Sequence, residues 1–342
     1  MSGPGTVRPQ PDGRTSAIAL ERPGSGLTLS RYTQQVGLIA VVVVLGVAFT
    51  AINSDFASPS NLIDLFRAVT LYFIVACAST LVLVGGGLDF SIGAVYALGA
   101  VVAGLLMTGG VPWPVAILGG IGVGVLAGTI NAAVSVYLHV PPLIATLGMF
   151  FVAGGIAVVL TGGTDVYGFP DGFIAIGASD LGGIPYLILY AIGIGILFHV
   201  ILESTVFGFN IRAIGGNRAA AAANGIRVAR MDIALYAISG GVAALAGILG
   251  AARLSTASPA AGGASLTFQV ITAVIIGGTS LFGGIGTIAG SALGAILFAE
   301  ISNGLQVINV NPLYQNIFIG VILVAAVAID QYRRRRRFRT GD

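Results

Sequence analysis

Ten apolar stretches, separated by short polar or glycine-rich joints, set the rhythm of this chain. They fall near residues 36–52, 67–85, 91–108, 113–137, 143–161, 184–202, 233–252, 268–286, 287–306 and 314–331. Each approaches the roughly 20 apolar residues that carry an α-helix across a bilayer. In lipid such a segment must satisfy its own backbone, which a helix does and an open strand does not. The pattern predicts an all-α polytopic membrane protein with about ten transmembrane helices. Two joints, 85–87 and 283–286, are glycine clusters where a polar loop would be expected. They mark broken helices, and reading either as re-entrant moves the count between nine and eleven.

The polar exceptions divide the chain further. Residues 1–34 are rich in Gly, Pro, Ser and Arg without an apolar run, and are expected to be a disordered cytoplasmic tail. The stretch 36–52 is longer than a signal-peptide core and is followed by no clear cleavage site, so it is expected to remain as the first span. A membrane domain then occupies 35–331, and a basic tail, 332–342, suits the headgroup region. The long interior exception is 203–232, ESTVFGFNIRAIGGNRAAAAANGIRVARMD. Within it, Asn217 is placed to cap a short helix from Arg218 to Ala223, and Gly225 to end it in a left-handed conformation. A short helix of small residues between two spans suits docking against another protein.

Composition sharpens the class. The chain is 56% hydrophobic and 8% charged, where a soluble domain carries about 25% charged residues. Its 52 glycines fit helices that approach closely in lipid, where packing of small residues drives association. All basic residues are arginines, so no P-loop lysine, Schiff-base lysine or lysine base exists. Cys77 is the single cysteine, excluding an internal disulfide or a multi-cysteine metal site. His139 and His199 lie far apart and read as satisfied or interfacial. Neither catalytic residues nor a metal nor a cofactor is expected in this chain.

Arginine placement sets the orientation. Arg8, Arg14, Arg22 and Arg31 precede the first span, Arg212, Arg218, Arg227 and Arg230 occupy 203–232, and Arg333 to Arg337 with Arg339 form the tail. Ten spans put all three groups in the cytoplasm and leave the loop with Asp165, Asp171 and Asp180 outside. Arg67 and Arg253 fall elsewhere. The segments LVGGGLDFSIGAVYALGA and IIGGTSLFGGIGTIAGSALGA each place a glycine pair before a broken, small-residue helix. They raise an inverted repeat of two halves as an expectation.

Several polar residues interrupt the apolar spans. Asp89 follows GGGL where a helix restarts, and has two readings. It lines a transport path, or it caps the helix by accepting from the N–H groups of Ser91 and Ile92. Asn131 and Asn303 either bond across helices or face a wet cavity. Thr146 and Gln269 are further path candidates, although Thr146 can bond back to its own helix. Glu300, deep in a span, needs a partner or water, and Arg253 is the nearest unpaired basic residue.

Taken together and in order, GGGLDFSIGAVYALGA, AGTINAAVSVYLHVPPLIATLGMFF, FGFNIRAIGGNRAAAAANGI, VIIGGTSLFGGIGTIAGSALGA, SNGL and AVAID resemble the permease subunits of ribose-type ABC sugar importers. The resemblance runs from about Asn61 to Asp330. It implies a multi-pass protein of a bacterial inner membrane with both termini cytoplasmic. The implied partners are a second permease copy, identical or paralogous, an ABC ATPase subunit that binds ATP–Mg, and an extracytoplasmic solute-binding protein. It implies import of a monosaccharide such as a ribose-, xylose- or galactose-like sugar, or a polyol. The region coupled to the ATPase would include Arg212, Asn217, Arg218, Ala221, Asn224, Gly225, Arg227 and Arg230, the arginines meeting acidic partner residues. The translocation path would include Asp89, Ser91, Asn131, Thr146, Gln269 and Asn303.

Two departures stand out. Thr267, Phe268 and Gln269 replace an acidic pair common in that family, and Asp232 stands where a lysine is frequent. The competing expectations are a branched-chain amino-acid ABC permease and a self-sufficient secondary transporter. The first would be expected to need a charged pair in its path, for which only Asp89 and Glu300 are candidates. The second needs a cluster of coupling residues, which the sequence does not offer.

Overall fold

The computed structural model describes residues 26–310, with Gly3 and a few positions between 314 and 324. Most of the expected N-terminal tail, the basic tail and nearly all of the expected span 314–331 lie outside the described residues.

Helix α1 (Gly26–Ile52) is followed by a 3-10 turn (Ser54–Ala57) and α2 (Pro59–Val84). Then come α3 (Ile92–Thr108), α4 (Trp113–Tyr137) and α5 (Pro142–Thr161). A loop region holds α6 (Asp171–Ala178) and an antiparallel pair, β1 (Asp180–Leu181) with β2 (Ile184–Pro185). The chain continues with α7 (Tyr186–Ser204), α8 (Val206–Gly216), α9 (Arg218–Ala223), α10 (Val228–Leu254), α11 (Gly263–Ile276) and α12 (Ile288–Val307). Seven of these are long and apolar enough to cross a membrane, and α3 and α11 are shorter apolar helices. Each of the nine predicted stretches that fall among the described residues therefore has a helix.

Two boundaries change. The helix carrying the first span starts at Gly26, inside the region expected to be a disordered tail. The stretch 268–286 is not continuous: α11 stops at Ile276, and residues 277–287 are irregular.

Polar caps and prolines set the helix starts. Ser58 Oγ accepts from Asn61 N at 3.3 Å with Pro59 at the first turn of α2. Helices α2 and α10 form the centre of the bundle, with 72% and 67% of their spans buried. At the rim, α5 and α7 bury 17% and 28% and turn their apolar side chains outward. The central contacts rest on small residues. A Cβ added at Gly128 of α4 would lie 1.9 Å from Tyr236 O of α10, and one at Gly240 would lie 2.1 Å from Gly124 O. Backbones touch there, as helix packing in lipid favours.

The joint at 85–87 is a break, and the second break begins at Gly277 and Gly278, ahead of the expected 283–286, with the same local design. After α2, Gly86 N donates to Leu83 O at 2.8 Å and Gly87 N to Val82 O at 2.9 Å. After α11, Gly278 N donates to Ile275 O at 2.9 Å and Thr279 N to Val274 O at 3.2 Å. This is the paired-bond helix ending that requires a left-handed residue, and Gly86 (φ 80°) and Gly278 (φ 94°) supply it. The breaks also touch, since Gly284 N donates to Val84 O at 2.8 Å. They lie at one level of the bundle. The two segments that carry the faint repeat in sequence thus end their first helices alike and lie side by side.

Candidate functional site: the polar loop and the helix breaks it meets

The segment between α7 and α10 is more ordered than its sequence suggests. Thr205 Oγ1 accepts from Gly208 N at 3.2 Å and starts α8, a helix that the sequence reading missed. The signal was the Ser204–Thr205 pair before an apolar run. Asn217 then serves two helices. Its N–H donates to Ala213 O at 3.0 Å at the end of α8, and its Oδ1 accepts from Ala220 N at 3.0 Å to start α9. Asn224 Nδ2 donates to Ala220 O at 2.8 Å, and Gly225 has a φ of 84°. The predicted cap and stop are thus where the sequence put them.

The faces of α9 differ from expectation. Ala221 is buried against its own chain, whereas Ala219, Ala220, Ala222 and Ala223 are exposed. Those four alanines form the outward face of α9. Arg212 pairs with Glu203, and Arg218 with Asp232. Asp232 is buried within α10, so the departure at this position lies inside the chain and not on its surface. Arg227 and Arg230 are the exposed arginines at the loop's far end.

One stripe of α10 connects this loop to the first break. Asp232, Tyr236 and Ser239 are spaced i, i+4 and i+7 and share a helix face. Asp232 meets Arg218 of α9, Tyr236 Oη donates to Leu88 O at 3.1 Å, and Ser239 Oγ donates to Asp89 Oδ2 at 2.8 Å. The 27 residues of α10 span roughly 40 Å. Just past its far end, Ala257 exchanges backbone hydrogen bonds with Val166 in the loop that holds Asp165, Asp171 and Asp180.

Asp89 is the centre of a buried polar cluster. Its Oδ1 accepts from Ser91 N at 3.0 Å and from Ser91 Oγ at 2.6 Å. Asn131 Nδ2 of α4 donates to Ser91 Oγ at 2.9 Å. Of the two expected cap bonds, the one to Ser91 is present, while Ser239 takes the place of Ile92. Asp89, Ser91, Asn131 and Ser239 are each at most 3% exposed. The cluster joins the first break to α4 and α10.

Of the other path candidates, Thr146 Oγ1 lies 2.9 Å from Pro142 O of its own helix and 3.5 Å from Leu88 O beside Asp89, while Gln269 Nε2 donates to Ser265 Oγ at 3.1 Å. Asn303 and Asn61 exchange two amide hydrogen bonds of 2.9 Å, linking α12 to α2. Thr267 accepts from Gly93 N at 3.1 Å and joins α11 to α3, a structural use for the neutral residue there. Glu300 and Arg253 do not meet. Glu300 faces α1, where a Cβ added at Gly46 would lie 2.9 Å from Oε1. Arg253 has Asp64, Arg67, Tyr72 and Tyr96 as electrostatic neighbours. A cavity of about 230 Å³ is lined by Ala94, Ala97, Phe150, Gly154 and Ala261. A groove of about 600 Å³ is lined by Val43, Gly46, Thr50, Phe56 and Glu300. None of the six expected path residues lines either one.

A polytopic helical bundle with broken central helices and an ordered polar loop is the architecture of a membrane transport subunit. The chain belongs to the family described as Branched-chain amino acid transport system / permease component, which matches residues 61–327. It is 33% identical over 334 residues to the L-arabinose ABC transporter permease protein AraH of Azospirillum brasilense, covering 98% of this chain and 97% of that protein. It is 35% identical to the ribose import permease protein RbsC of Bacillus subtilis (strain 168), covering 87% and 93%. It is 32% identical to the D-allose transport system permease protein AlsC of Escherichia coli (strain K12), covering 86% and 91%. No solved structure matches.

Proposed function

We propose that this chain is the membrane subunit of an ABC importer for a monosaccharide or a closely related polyol. The carrying observation is its end-to-end relation to permeases named for arabinose, ribose and allose. An amino-acid substrate is disfavoured because, among the described residues, neither candidate carboxylate forms a charged pair: Asp89 is enclosed by Ser91 and Ser239, and Glu300 faces α1. The ATPase is a separate chain that docks on α9, with Arg227 and Arg230 meeting its acidic residues. A solute-binding protein delivers the sugar on the face of the acidic loop, and a second permease copy completes the path. Both termini lie in the cytoplasm of a bacterial inner membrane, as the arginine distribution favours.

Reconstitution tests this reading. In vesicles, uptake should require the permease, the ATPase subunit, ATP and the binding protein together. Sugar movement by this chain alone, driven by an ion gradient, would sink it. Ala222→Trp on the exposed face of α9 should leave membrane insertion intact and lower ATP-driven uptake about tenfold or more, as a lost coupling does. Normal uptake by that variant rules out α9 as the dock.

A further inference from the structure

The last turn of α8 is wedged between the two helix breaks. A Cβ added at Gly215 would lie 1.9 Å from Val84 O and 2.5 Å from Gly284 N. A Cβ at Gly283 would lie 2.8 Å from Gly215 Cα and 3.0 Å from Gly86 Cα. With Gly284 N bonded to Val84 O, three segments distant in sequence meet backbone to backbone. These atoms belong to the main chain, so a collision is not relieved by turning a side chain. At the next position, Gly216, an added Cβ meets nothing within 4 Å. Then comes Asn217, which is bonded to Ala213 of α8 and to Ala220 of α9.

We propose that Gly215 is the positioning residue through which displacement of α9 reaches both helix breaks at once. This deepens the reading of α9 as the ATPase dock and rests on it. Packed elements switch between discrete arrangements and do not deform continuously, so side-chain-free contact at Gly215 leaves little slack between α8 and the breaks. The first break leads within a few residues to Asp89 and its cluster, and the second leads into α12. A push on α9 therefore moves the ends of α2, α3, α11 and α12 in concert. Only glycine permits the approach, because any Cβ forces α8 away from Val84.

The test compares Gly215→Ala with Gly216→Ala in the complete importer, with its ATPase subunit and binding protein in vesicles. Both place alanine in the same turn, and only the first collides. Gly216→Ala should take up sugar as the parent does. Gly215→Ala should retain the ATPase subunit and hydrolyse ATP, yet lose uptake about tenfold or more, the size of a lost coupling. Equal uptake by the two variants overturns the proposal. Should Gly215→Ala fail to reach the membrane, a Gly-Gly insertion between Gly216 and Asn217 decides, because it loosens the link and spares the wedge. Lost uptake with the ATPase still bound supports the junction, and any other result overturns it. The parent complex is measured first: failure of the parent to bind the ATPase or to use ATP counts against the docking reading and not against the junction.

Discussion

Asp89 and Glu300 are both carboxylates buried among apolar helices, at 3% and 5% exposure, yet their surroundings are opposite. Asp89 accepts three hydrogen bonds, from Ser91 N, Ser91 Oγ and Ser239 Oγ. Glu300 Oε2 has no partner among the described residues, and its side chain borders the groove against α1. The difference lies in the backbone beneath them. Asp89 sits in a break, where N–H groups are not yet claimed by a helix and turn toward a carboxylate. Glu300 sits inside α12, where the main-chain donors already bond within the helix. A break offers a buried carboxylate a free main-chain N–H beside its side-chain donors, and a continuous helix does not.

The largest effect is expected at Asp89. Asp89→Ala strands the Ser91 N–H and two hydroxyls, and should destabilise the protein by on the order of 3 kcal/mol or more. A lowered midpoint in a size-exclusion thermal assay of the solubilised protein would show it. Ser239→Ala removes one of the three bonds and should cost about 1–2 kcal/mol in the same assay. It should also weaken the tie between α10 and the first break, which faster proteolysis near residues 85–91 would report. Glu300→Gln keeps the shape and removes only charge from a group whose Oε2 lacks a partner, so its change should stay within about 0.5 kcal/mol. A larger loss at Glu300 than at Ser239 would break the comparison and point to a partner for Glu300 from outside residues 26–310.

Much of the fold was legible along the chain. Length and apolarity alone placed nine described helices, because a bilayer requires about 20 apolar residues at a time. The Asn217 cap and the Gly225 stop were legible as well, since each depends on one side chain acting within a few residues of its own position. Helix α8 was missed because its apolar residues read as part of a loop, although Thr205 was a usable signal. The placement of Ala221 was not legible. Five consecutive alanines look alike in sequence, and only packing on the rest of the chain chooses which one is inside.

The path candidates show the same division. Asp89, Ser91 and Asn131 share one cluster, joined by Ser239, which no local pattern marked. Asn303 was ambiguous until Asn61, 242 positions away, proved to occupy both ends of its amide. Asp232 closes the polar stretch 203–232 in sequence, but α10 already includes it and Arg218 covers it.

By itself, then, the sequence determined a helical membrane bundle, its two glycine breaks and a capped helix in its longest polar loop. Those features follow from hydropathy and from local backbone chemistry. Only the tertiary structure decided that the two breaks touch, that Gly215 lies between them, and that one stripe of α10 runs from Arg218 to Asp89. Contacts between distant backbones leave no local signature, because glycine reads the same in a loop, a break or a wedge.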